Sequence, residues 1–140
     1  MAQIPDRIYM DKKDKELYEK LDDESMLKHK GGNRTRKEQF LFAMAVGFEK
    51  GVRRELEKRE GLFNLKDLKL EDEALINAIA INETKSISII SQKNEVYKIV
   101  EEYAHAGIKL LVDEIQSCEF GSFEKLYEKK LKEIFIKLDI

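Results

Sequence analysis

Between residues 28 and 37 the chain carries Lys28, Lys30, Arg34, Arg36 and Lys37 and no acid. Gly31 and Gly32 interrupt the run, and their lack of a side chain lets backbone amides come close to an anion. A helix start follows directly. Thr35, Arg36, Lys37 and Glu38 have capping-box spacing, in which the threonine hydroxyl takes the Glu38 amide and the Glu38 carboxylate takes the Thr35 amide. Basic side chains beside a helix N-terminus are a common way to hold the phosphates of DNA or RNA. Arg53 and Arg54 extend the set, diluted by Glu49, Glu55 and Glu57. The candidate nucleic-acid-binding residues are therefore Lys28, Lys30, Arg34, Arg36, Lys37, Arg53 and Arg54. The plainer reading is a solvated loop whose charges serve solubility.

Other reactive residue types are sparse. Glu102-Tyr103-Ala104-His105 places a carboxylate and an imidazole on one helix face, the spacing used in carboxylate-bridged di-metal bundles. Such a site needs two of these motifs and further glutamates, whereas His29 is the other histidine of the chain. His105 therefore reads as an ordinary helix histidine, and no metal or cofactor is expected. Cys118 has no histidine near it in sequence and reads as an inert thiol. Walker, dinucleotide-binding, nucleophile-elbow and Cys-x-x-Cys patterns are all missing. Nothing in the sequence asks for catalysis.

These residues sit in a chain of 140 residues, 42% hydrophobic and 39% charged, with 26 basic and 28 acidic side chains and a formal charge of −2. Its length suits a single domain over residues 1–140. Near-balanced charge means that attraction to nucleic acid must come from a local patch. The single cysteine excludes an internal disulfide and fits a reducing cytoplasm. The longest uncharged apolar run, 40–48, is far shorter than the roughly 20 residues a membrane span needs, so no membrane partner is expected.

The pattern predicts a mainly α fold: a compact multi-helix domain around a buried central helix at about residues 35–51, with a short N-terminal strand. Ile8 and Met10 alternate with polar neighbours, and Asp11 is a suitable N-cap for a helix carrying Leu17, Tyr18 and Leu21. Residues 28–34 read as an exposed, mobile basic loop. From Phe40 to Phe48 the central helix is apolar on every side, so other elements must surround it. Gly47 lies within it, where a close helix crossing would explain a glycine. The helix ends at Gly51 or at Gly61. Leu62, Phe63, Leu65, Leu68 and Leu70 form an apolar connector with a helical turn, and a helix follows over 71–82. Residues 84–92 fit either a short strand or a buried loop. The longest helical pattern runs from about 92 to 117, and a last amphipathic helix begins after Gly121-Ser122.

The order strand, helix, glycine turn, capped helix over residues 7–50 is also compatible with a ribbon–helix–helix unit, although the 22–34 connection is long for one.

Three stretches resemble the DNA phosphorothioation-associated (Dnd system-associated) protein 4 family. They are Arg7-Ile8 leading into a charged helix, residues 40–51 ending in Arg53-Arg54, and residues 101–111, with 75–80 as the middle helix. The likeness covers most of residues 7–115. The chain departs in His105-Ala106, where the family more often has a small polar pair, and in a more developed C-terminal helix. The resemblance implies a bacterial or archaeal cytoplasmic protein encoded near genes for sulfur modification of the DNA backbone, or for linked restriction. It supplies a setting and no active site.

The expected role is a non-enzymatic accessory or regulatory protein of such a defence system, contacting DNA or a DNA-bound protein through the basic loop. The alternative is a helical interaction module that forms homo-oligomers through its surplus apolar faces, notably 120–138, and does not bind nucleic acid.

Overall fold

The computed structural model describes residues 5–23, 28–29, 32–33, 36–117 and 123–138. It is mainly helical, with a short two-stranded sheet near the N-terminus and a buried central helix, as the sequence pattern predicts. Strand β1 (Arg7–Asp11) leads through a 3-10 turn into α1 (Lys15–Asp23). A second, minimal ladder pairs β2 (Lys28–His29) with β3 (Gly32–Asn33) before α2 (Arg36–Lys50). Strand β4 (Arg59–Asn64), α3 (Leu70–Thr84), α4 (Lys93–Ser117) and α5 (Phe123–Lys137) complete the order.

Helix α2 is the axis, because its apolar residues occupy every side. Phe40, Phe42, Met44, Val46 and Phe48 are all buried. Its largest partner is α4. The two helices approach until backbone meets backbone: a Cβ on Gly47 would collide with the carbonyl of Tyr103, and one on Gly107 with the carbonyl of Ala43. The close crossing expected at Gly47 is thus present, and Gly107 is its counterpart. The helix ends at Gly51, whose φ of +71° is a left-handed turn conformation that glycine adopts without steric cost. Helix α5 covers the far end of α2. Ile134 is buried there, and the Lys137 ammonium donates to the Phe48 carbonyl at 3.0 Å while lying 4.5 Å from the centre of the Phe48 ring. A cation at a helix C-terminus is favourably placed in the helix dipole.

Several expectations need correcting. The apolar connector begins as a strand: β4 pairs antiparallel with β1, joining Ile8 to Phe63 and, after a bulge, Tyr9 to Gly61 and Asp11 to Arg59. The helical turn follows at Leu65–Asp67. Because β1 is paired within its own chain, its role differs from that of a ribbon–helix–helix strand. Residues 84–92 are neither strand nor buried loop. They contain a 3-10 helix, Ile87–Ser91, that buries Ile89 and leaves Ile87 exposed. The basic loop contains the β2–β3 ladder, with Lys28 opposite Asn33. Thr35 of the expected capping box and Cys118 lie outside the described residues.

Candidate functional site

The seven basic candidates do not form one set. Lys30 and Arg34 lie outside the described residues, and Lys28 is placed by its backbone in β2. Arg36 opens α2 and donates to Asp22 of α1 and to Gln39, each at 2.7 Å, while Gln39 donates to the same Asp22 oxygen at 2.8 Å. Burial pushes the Asp22 carboxyl up, but the bonds from Arg36 and Gln39 outweigh it and hold the group below its ordinary value. Lys37 reaches Asp72 in the first turn of α3 at 2.9 Å, with both side chains mostly buried. Asp72 also accepts the Lys69 amide, so one carboxylate caps α3 and ties it to α2.

Arg53 lies apart from these, beyond the other end of α2. Its Nε and Nη2 donate to one oxygen of Glu102 at 3.1 and 2.7 Å, and its Nη1 pairs with Glu83. The guanidinium sits 5.7 Å from the Tyr103 ring centre, and the Tyr103 hydroxyl donates to Glu83 at 2.6 Å. Arg54 is exposed, and its amide donates to the Glu102 carbonyl. Arg36, Lys37 and Arg53 therefore already meet carboxylates of the same chain, each from an element distant in sequence.

The Glu102-x-x-His105 pair is divided in the same way. Glu102 turns to Arg53, whereas the His105 Nδ1 lies 2.7 Å from Asp14 and its Nε2 3.8 Å from Asp11. Asp11 is fully buried. Burial raises its pKa, yet amides of Lys13, Glu57 and Lys58 donate to it, and the net effect is a lowered value. Asp14 is pushed up by burial against the opposing bond and charge of His105. Among the described residues, no group of three or more His, Cys, Asp or Glu side chains is arranged to hold a metal.

The arrangement that sequence reading missed runs along α4. Asn94, Tyr97, Glu101 and His105 recur at helical spacing in a polar seam, in which Glu101 and His105 meet β1 and its 3-10 turn while the Tyr97 hydroxyl reaches Glu73 of α3 at 3.5 Å. In the middle of the seam, Glu101 is almost wholly buried. Its Oε2 accepts the Tyr9 amide at 2.8 Å, using a donor on a residue next to the β1 bulge. Its Oε1 forms an ion pair with the Arg59 guanidinium at 3.0 Å. Burial pushes the Glu101 carboxyl up to about 7, opposed by the Tyr9 amide and by Arg59. Arg59 in turn stacks on Tyr9, 4.6 Å from the ring centre. Pro5, Asp6, Arg7, Tyr9, Arg59, Asn94, Tyr97 and Glu101 line an open cleft of about 250 Å³ here, with Asp6 3.7 Å from Arg7. The available signal in sequence was the 94, 97, 101, 105 periodicity, masked by the more conspicuous Glu102-x-x-His105.

Such a molecule is a small helical protein whose two-stranded β1–β4 sheet is clamped to its longest helix by buried polar groups. It belongs to the DNA sulphur modification system-associated protein 4 family, whose model matches residues 7–128. No curated protein and no solved structure gives a match. No helix among the described residues is long and apolar enough to cross a membrane.

Proposed function

We propose that the chain is a cytoplasmic, non-enzymatic accessory or regulatory protein of a DNA-phosphorothioation or linked restriction system, and that it contacts DNA, or a protein bound to DNA, through residues 28–37. The family description supports the setting. The observation that carries the contact is the acid-free basic run on the β2–β3 ladder ahead of α2, with its last two cations anchored to Asp22 and Asp72. Those anchors tie the start of α2 to α1 and α3. The phosphate contacts in this reading fall to Lys28, Lys30 and Arg34, with Arg54 a separate exposed cation. Arg36, Lys37 and Arg53 hold the elements in place.

A gel shift at two salt concentrations tests this. Binding at low salt should weaken as salt rises, because released counterions drive phosphate contact. Reversing Lys28, Lys30 and Arg34 to glutamate should abolish it. Absence of binding at low salt, or binding unchanged by the reversal, overturns the reading.

A second reading is favoured by α5, where Phe135 and Ile136 are exposed beside buried Ile134. In it the chain self-associates through this helix and the apolar surface drives assembly. Sedimentation over a range of concentrations should then show a dimer or larger species that Phe135→Ser/Ile136→Ser dissociates. A monomer throughout removes this reading.

A further inference from the structure

Strand β4 has two edges, and β1 uses one of them. Among the described residues no further strand joins this sheet. The Lys12 amide donates to the Lys58 carbonyl, so the alternating antiparallel ladder bonds Met10 to Glu60 and turns the amides and carbonyls of Arg59 and Gly61 away from β1. Tyr9 lies opposite Gly61, and its own outward amide is taken by Glu101 of α4. The far side of β4 has no such cover: among the described residues, no hydrogen bond reaches the amides of Arg59 and Gly61. Gly61 is exposed, and a glycine exposes only backbone. Beside this edge lies a pocket of about 260 Å³, on the face of the sheet that carries Met10 and Glu60. Buried Met10 and Tyr18 and half-buried Leu62 give it an apolar lining. Lys15 and Arg36 are balanced around it by Glu19 and Glu60, so it favours neither sign of charge.

We propose that an extended peptide segment of a partner protein adds to the open edge of β4 as a third strand. Its main chain bonds to the outward amides and carbonyls of Arg59 and Gly61, and the residue between places one neutral apolar side chain in the pocket. Strand addition draws affinity from main-chain bonds and selectivity from pockets that take alternate side chains. The residue opposite Glu60 shares its face and therefore meets the pocket. Outward amides alternating with carbonyls match another main chain, whereas a phosphate would answer the amides alone. A second copy of β4 is a poor occupant. Antiparallel self-pairing centred on Arg59 or on Glu60 sets two like charges directly opposite each other, which is destabilising. Centred on Gly61, it sets Glu60 against Leu62, the residue that the bulge leaves without a partner in β1. The site makes no use of Lys28, Lys30 or Arg34 and stands or falls without the DNA contact.

The test uses the full ¹⁵N-labelled chain and capped peptides in which three threonines stand on either side of a central Leu, Ala, Glu or Lys. A further copy of the leucine peptide is N-methylated at the two residues adjoining the leucine, which removes the donors aimed at β4 and keeps the side chains. Without peptide, the Arg59 and Gly61 amides should exchange with solvent faster than the Glu60 amide, which is bonded to Met10. The leucine peptide should bind saturably, slow exchange at Arg59 and Gly61, and shift the Leu62 resonance. The alanine peptide should bind at least about tenfold more weakly, because it leaves the apolar lining unfilled. The glutamate, lysine and N-methylated peptides should not bind. Leu62→Ala should weaken leucine-peptide binding, with thermal unfolding to establish that the variant folds. Lys28→Glu/Lys30→Glu/Arg34→Glu should leave peptide binding intact, which separates this edge from the DNA contact.

Absence of protection at Arg59 and Gly61 with every peptide overturns the proposal. So does leucine-peptide binding that survives N-methylation, or equal binding of the leucine, glutamate and lysine peptides. Protection of the same two amides on raising protein concentration alone assigns the edge to a second copy and overturns it as well.

Discussion

Glu101 and Glu102 are neighbours in sequence and both are buried, yet they project to different sides of α4. Glu101 takes the β1 amide of Tyr9, while Glu102 takes Arg53. The two carboxylates differ in how fully they are paired, and that difference predicts their mutant behaviour. Glu101 has a folded pKa raised from 4.5 to about 7. Between those values the folded state holds a proton that the unfolded chain releases, so stability falls as pH rises through this window. The penalty above pH 7 is at most about 3 kcal/mol. Glu101→Gln should remove this component, so urea unfolding from pH 4 to 8 should fall less steeply for the variant than for wild type. An identical pH profile would mean that Glu101 is not strained by its burial. Removing the partner of Glu102 acts in the other direction. Arg53→Ala leaves a mostly buried carboxylate uncompensated and should cost about 1–3 kcal/mol, after allowance for the partial exposure of Arg53. Denaturant midpoints at pH 7 measure that loss, and DNA affinity in the same variant should be nearly unchanged.

At the scale of elements, α4 is the member against which α1, α2, α3 and β1 all pack. One face meets α2 through Gly107 and Tyr103, and another meets β1 through the polar seam. The Phe48 and Tyr103 rings pack edge to face at 5.5 Å beside the crossing. Gly107→Ala should cost about 3 kcal/mol, because its methyl group meets backbone on α2 and no rotamer change can relieve it. A thermal scan of that variant should show a clearly lowered midpoint, and an unchanged midpoint would mean that the helices can separate without loss. The central helix was legible in sequence because an all-round apolar surface permits only a surrounded position. Strand β4 was not. Gly61 interrupts its pattern, Leu62 and Phe63 are adjacent rather than alternating, and the bulge at Ile8 and Tyr9 shifts the register. Its pairing partner also lies some fifty residues away, beyond the reach of any local periodicity.

For the whole molecule, the net charge of −2 does not show which cations are already paired. Arg36, Lys37 and Arg53 are spent internally on Asp22, Asp72, Glu83 and Glu102. If DNA contact falls to Lys28, Lys30 and Arg34, about three phosphates are neutralised. The logarithm of the binding constant should then fall against that of salt with a slope of about −2.7. A slope about twice as steep would require Arg36, Lys37 and Arg53 all to release their carboxylates and join the interface. Measuring the slope for wild type and for Arg36→Ala distinguishes these outcomes, since only in the second does the variant flatten it.

By itself, the sequence determined the helical class, the burial of α2, the need for a glycine at a close crossing, and the family. Each follows from local composition or from spacing along one element. Only the tertiary structure decided that Arg36, Lys37 and Arg53 meet carboxylates of the same chain, and where the buried polar groups meet. Arg53 finds Glu102 across 49 residues, and Tyr9 finds Glu101 across 92. Coulombic and hydrogen-bond pairing depends on distance in space, and the folding of β1, α2, α3 and α4 onto one another sets those distances. For that reason the basic run was visible as a sequence of charges, while the pairing of its last two members, Arg36 and Lys37, with Asp22 and Asp72 was not.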